Sequence, residues 1–184
     1  MKPKIKEDKN KINFLVSASE LKEISENLLS QIDILDLKDP SKGSIGSWDY
    51  YRIKEAIKLF KEKVFISATL GDIFDNGKFE EKLNSFDNLD LDYIKFGLLS
   101  LNNEDLFAKL RFVALEQFKT KLVCVVFVDH KKSVNRVESN LKFFLDCGIK
   151  YILLDTFRKD KGSLLDFCNI TFLKNFIFKC RKLD

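Results

Sequence analysis

Six short runs of β-branched and apolar residues punctuate the chain: INFLVSA (12–18), IDILDLK (32–38), VFISATL (64–70), YIKFGLL (93–99), LVCVVFVD (122–129) and YILLDTF (151–157). They begin 20, 32, 29, 29 and 29 residues apart. Between them, apolar residues recur every three to five positions with charges interleaved. In EDLFAKLRFVALEQFK these are Leu106, Leu110, Val113 and Phe118; YYRIKEAIKLFKEK and SVNRVESNLKFFLDCG follow the same spacing. That period places one face of a helix on a core, whereas the short runs read as strands. The segment ending at Cys147-Gly148 carries a glycine C-cap signal. Strands alternating with helices imply βαβ units around a parallel sheet, and the near-constant repeat favours a barrel over a doubly wound sheet.

The chain has 184 residues, whereas a closed eight-unit barrel typically needs about 250 and rarely fewer than about 200. Six βα units fit, and the sixth helix, near ITFLKNFIFKCRKL, is followed only by Asp184. The expected fold is therefore α/β, a TIM-type (β/α) barrel truncated after six βα units, with strands seven and eight not in the chain. Residues 12–184 are expected to form that single domain, with 1–11 a basic, flexible lead-in.

Charge sharpens the picture only once it is located. Of the formal net charge of +4, residues 1–11 carry five lysines against Glu7 and Asp8. The remainder is nearly balanced, without the clustered basic face of a nucleic-acid-binding domain. No window approaches the ~18 apolar residues of a membrane-spanning helix, and INFLVSA is too short for a secretory signal. Cys124, Cys147, Cys168 and Cys180 form no CxxC pair, and His130 is the lone histidine. Buried free thiols and a reduced, cytoplasmic, metal-independent protein with neither nucleic-acid nor membrane partners are expected. Open sheet edges make a homo-oligomer the expected state.

GxxxxGK[ST], GxGxxG and GxSxG are all missing, so nucleotide-loop and serine-triad chemistry drop out. Acid–base work falls to Lys, Asp, Glu or Tyr. Side chains alternate along a strand, so strand ends can be sorted by face. If Leu35 and Leu37 meet helices, Asp36 and Lys38 point into the barrel. With Ile94, Phe96 and Leu98 outward, Tyr93, Lys95 and Gly97 face inward. With Ile152 and Leu154 outward, Leu153, Asp155 and Phe157 face inward, and Lys159 follows in the loop. Active sites of (β/α) barrels lie at such strand ends. Cationic neighbours and burial both lower a lysine's pKa, which suits imine chemistry on a carbonyl. In the loop after the second strand, Gly43, Ser44 and Gly46 are candidates to cradle a phosphate at a helix N-terminus, although an ordinary βα turn explains them as well.

At these residues the chain resembles a known family. DLKDPSKGSIG (36–46) is similar to the D-x-K-[DN]-P-x-x-G-[SA]-x-G segment of the (5-formylfuran-3-yl)methyl phosphate synthases of methanofuran biosynthesis. FLVSA (14–18), SATLGD (67–72), DYIKFGL (92–98) and LLDTFRKDKGSLLDF (153–167) follow in order, while VCVVFVDH matches mainly through Asp129. The resemblance implies a (β/α) barrel that builds 4-(hydroxymethyl)-2-furancarboxaldehyde phosphate from two glyceraldehyde 3-phosphate molecules, with no metal or organic cofactor. It implies that Lys38 is the Schiff-base lysine and Lys95 a proton-transferring lysine, with Asp36, Asp155 and Lys159 completing the site. Against the family pattern, two final strands, and with them the usual second phosphate grip, are expected to be missing. Two other readings stand beside this lyase/synthase: another Schiff-base sugar-phosphate aldolase, and a non-catalytic interaction protein that has kept the pocket.

Overall fold

The computed structural model describes residues 12–72, 78–99 and 103–183; the lead-in expected over 1–11 lies outside them. Six strands form one sheet in the order β1-β2-β3-β4-β5-β6, every neighbouring pair parallel. They are β1 (Leu15–Ala18), β2 (Ile34–Leu37), β3 (Phe65–Asp72), β4 (Tyr93–Gly97), β5 (Lys121–Phe127) and β6 (Tyr151–Asp155). All six lie within or largely overlap the expected runs. Helices α1 (Glu26–Leu29), α2 (Tyr50–Phe60), α3 (Phe79–Asp87), α4 (Asn103–Glu116), α5 (Lys131–Ser139), α6 (Leu141–Asp146), α7 (Leu164–Phe167) and α8 (Ile170–Arg181) fill the connections.

The sheet curls. Strands β2 and β6 are four places apart, a separation of roughly 19 Å in a flat sheet. Yet the Ser44 hydroxyl, after β2, donates to the Thr156 carbonyl, after β6, at 3.0 Å. The outward faces carry the main core: Leu35, Leu37, Ile66, Ala68, Ile94, Phe96, Cys124 and Val126 are buried together with Ile53, Leu83, Leu110 and Phe144 of the helices. The concave face holds a second, smaller apolar cluster of Ile45, Val125 and Phe127, against which Leu99 and Leu153 pack. The inward and outward assignments made for β2, β4 and β6 agree with this division. Cys124, Cys147 and Cys168 are buried free thiols, and Cys180 is partly buried.

One expected helix is broken. The segment 133–148 divides at Asn140, which closes α5 and opens α6 at φ −126° and ψ 19°. Its side-chain amide donates to the Arg136 carbonyl at 2.7 Å, so a side chain competes for a backbone acceptor and interrupts the helix. The C-cap at Gly148 forms as expected: φ is +83° and its N–H donates to Leu145 at 2.8 Å.

The connection after β2 is built on its own backbone. A Cβ at Gly46 would collide with the Asp39 carbonyl and lie 2.7 Å from the Lys42 Cβ, while Asp39 N–H donates to the Gly46 carbonyl at 2.9 Å. Gly46→Ala is therefore expected to lower stability by about 1–3 kcal/mol, the usual range for overpacking. The midpoint of urea unfolding checks this, and an unchanged midpoint would contradict the packing described.

β1 and β6 end the strand order; Phe14 and Leu15, at the start of β1, and Ile177 and Phe178 of α8, the helix that follows β6 in the chain, are exposed apolar side chains. No helix among the described residues is long and apolar enough to cross a membrane.

Candidate active site

Two layers of charge meet at the C-terminal ends of the strands. The deeper layer is a buried ion pair. Lys95 of β4 donates to Asp36 Oδ2 of β2, with side chains 5% and 0% exposed. The two residues are 59 apart in sequence, and only the inward faces of nearby parallel strands bring them together. The same Oδ2 accepts the Ser17 hydroxyl of β1 at 2.9 Å.

The upper layer is centred on Asp155 at the end of β6. Its Oδ1 pairs with Lys159 and accepts the Thr156 N–H at 2.8 Å. Its Oδ2 lies 3.8 Å from Lys38 Nζ, which follows β2 directly. Lys38 is 16% exposed. Burial pushes its amine below the ordinary lysine range; Asp155 opposes this, while Lys159 and Lys95 press it further down. The structure thus brings all five expected catalytic residues to one mouth: Lys38, Lys95, Asp36, Asp155 and Lys159. Buried Ile45 and Phe127 supply an apolar wall on the concave face.

The candidate phosphate loop behaves differently. Gly43 is exposed at φ +109°. Ser44 and Gly46 are both buried, with Ser44 committed to Thr156 and the Gly46 carbonyl accepting the Thr69 hydroxyl at 2.6 Å. The loop first makes a 3-10 turn over Pro40–Lys42, whose cap is Asp39. When α2 begins, its own Asp49 carboxylate accepts the Tyr51 N–H at 2.9 Å. The anion at that helix N-terminus is therefore a side chain of the chain itself.

Asp129, after β5, holds the other rim. Its carboxylate accepts the N–H groups of Phe157 and Arg158, each at 2.8 Å. Burial alone would raise its pKa, but these two donors, its own N–H and the Lys159 charge together outweigh burial and hold it below the usual carboxylate range. This keeps the loop carrying Lys159 in place. His130 caps α5 with no side-chain cap bond, and its Nδ1 is buried without a hydrogen-bond partner among the described residues.

Sequence reasoning passed over Ser17, Ser67 and Thr69. All three sit at inward positions, Ser17 and Ser67 pairing with Asp36 in register and Thr69 with Lys95. The signal was present in the alternation of FISATL, where small hydroxyl residues interleave with Ile66, Ala68 and Leu70.

Comparison with known proteins agrees with the resemblance of the motifs. A family model described as 4-HFC-P synthase matches residues 14–184. The chain is 28% identical over 178 residues to the (5-formylfuran-3-yl)methyl phosphate synthase of Methanocaldococcus jannaschii, covering 89% of this chain and 73% of that protein. With the synthase of the same name from Methanothermobacter thermautotrophicus it shares 27% over 174 residues, covering 91% and 74%. Among solved structures, the putative copper homeostasis protein CutC from Streptococcus agalactiae superposes with a TM-score of 0.64 at 16% identity, covering 94% of this chain and 85% of that one. At that identity the likeness is one of fold alone.

Proposed function

The chain belongs to the 4-HFC-P synthase family, and on that premise we propose that it is a lyase-type synthase joining two triose phosphates through an imine on Lys38. The observation that carries this reading is the Lys38 amine itself, mostly buried and held below the ordinary lysine range between Asp155 and a cluster of other lysines. A neutral amine attacks the carbonyl of one glyceraldehyde 3-phosphate, and loss of water gives the imine. The imine acidifies the adjacent C–H, whose proton passes to the Lys95–Asp36 pair and leaves an enamine. The enamine carbon attacks the carbonyl of the second triose phosphate. Eliminations, ring closure and hydrolysis that frees Lys38, taking back the water lost in imine formation, then give the furan aldehyde phosphate, with one inorganic phosphate and two waters released in the net reaction. Lys159, about half exposed at the mouth, and the loop backbone at exposed Gly43 form the side that meets substrate phosphate, with buried Ser44 and Gly46 holding that loop in shape.

On the same proposal the six βα units are part of a TIM-type barrel that acts in the cytoplasm as a homo-oligomer, another copy covering the open ends of the sheet. The test is incubation with glyceraldehyde 3-phosphate alone, following furan absorbance and released phosphate. Furan and phosphate in equal amounts are expected. An aldol adduct without furan points to a generic imine-forming aldolase, and no reaction points to a binding protein.

The electrostatics predict the pH response of imine trapping. The yield of borohydride-trapped adduct is expected to rise with pH, with its midpoint below the ordinary lysine value. Asp155 raises the Lys38 pKa and Lys159 lowers it. Asp155→Asn should therefore move the midpoint to lower pH, and Lys159→Met to higher pH. Shifts in the same direction for both variants would contradict the arrangement.

A further inference from the structure

The two oxygens of Asp36 are treated unequally. Oδ2 accepts the Ser17 hydroxyl at 2.9 Å and also the Lys95 ammonium. Oδ1 is fully buried and has no hydrogen-bond partner among the described residues. A bare carboxylate oxygen in a protein interior is costly, and such groups concentrate where chemistry needs a free lone pair. Across the register from Asp36 on β3, the Ser67 hydroxyl is also buried and has no partner among the described residues. The inward face around Oδ1 is therefore polar and unsatisfied, while Oδ2 is held from two sides by β1 and β4.

From this asymmetry we infer that Ser17 is a positioning residue that fixes the rotation of the Asp36 carboxylate, keeping Oδ2 on Lys95 and presenting Oδ1 as the proton-accepting atom. One donor would leave the carboxylate free to turn about its Cβ–Cγ bond. Two donors on one oxygen, arriving from different strands, define its plane. In the step concerned, the C–H beside the protonated imine breaks and its proton goes to Oδ1. The bonding pair forms the enamine double bond, and the C=N pair returns to nitrogen. The same oxygen can later hand that proton to a departing hydroxyl. Ser17 acts only through Asp36, and it lies on the exposed β1 side of the sheet, so shortening it opens no cavity in the core.

This inference rests on the imine reading above, and the experiment separates the two. Wild type, Ser17→Ala and Ser17→Thr are each treated with glyceraldehyde 3-phosphate and borohydride, and assayed separately for furan formation. For Ser17→Ala, trapping on Lys38 and KM should stay within about threefold of wild type. Its kcat should fall roughly 10–100-fold, the scale of a misplaced catalytic group. Threonine, which restores the hydroxyl, should recover kcat to within about threefold. An unchanged kcat in Ser17→Ala overturns the positioning role, as does a loss that threonine cannot rescue or that extends to trapping. Absence of any wild-type adduct overturns the imine reading and this inference with it.

Discussion

Lys38→Ala is expected to abolish both adduct formation and furan synthesis, lowering turnover by more than about 10⁴-fold, as removal of a covalent nucleophile does. The fold should survive, because Lys38 contributes little to stability. Its nearest carboxylate is 3.8 Å away, and a loose pair of this kind contributes about 0–1 kcal/mol. Its loss strands no charge: Asp155 keeps Lys159 and the Thr156 N–H. The variant also relieves the crowding of Lys38 by Lys95 and Lys159. Circular dichroism and a melting temperature close to wild type, alongside absent product, are the expected result. An unfolded variant would mean that Lys38 is structural.

The second large effect concerns the deeper pair and has the opposite structural character. Lys95→Met leaves the fully buried Asp36 with Ser17 as its remaining donor. Breaking a buried ion pair from one side costs about 3–5 kcal/mol, because a charge remains without its partner. Asp36→Asn strands Lys95 in the same way. The double variant Asp36→Asn/Lys95→Met leaves no buried charge and should recover most of the loss. Turnover should nevertheless remain down by about 10²–10⁴-fold, the usual contribution of a proton-transferring group. Urea unfolding of the two single variants and the double variant, with turnover assays on each, gives the cycle. Single variants as stable as wild type would show that the pair is not buried. A double variant no more stable than the singles would show that the two charges do not depend on each other.

The contrast between these lysines marks what the sequence could and could not disclose. The strands were legible because a strand buried on both faces reads as a short apolar run. The face of each strand followed from an alternation fixed by backbone stereochemistry, which placed Asp36, Lys38, Lys95 and Asp155 inward. Their pairing was not legible. Lys95 meets Asp36 rather than Asp155 because of sheet curvature and strand register, neither of which leaves a local mark. Ser17 escaped notice because a single hydroxyl in FLVSA looks like neutral filler until its cross-strand neighbour is known. Asn140 broke a helix where neither glycine nor proline stood to warn of it. The glycines after β2 carried an ambiguity that only packing resolves: Gly46 is needed by its own loop, whose backbone already fills the space a side chain would take.

Imine formation on Lys38 is the claim on which the rest depends. The most direct measurement is borohydride reduction of the unmodified protein in the presence of glyceraldehyde 3-phosphate, followed by peptide mass mapping. One reduced triose phosphate adduct is expected, on the peptide containing Lys38. No adduct on a folded sample, or an adduct on Lys95 or Lys159 with Lys38 unmodified, would contradict it.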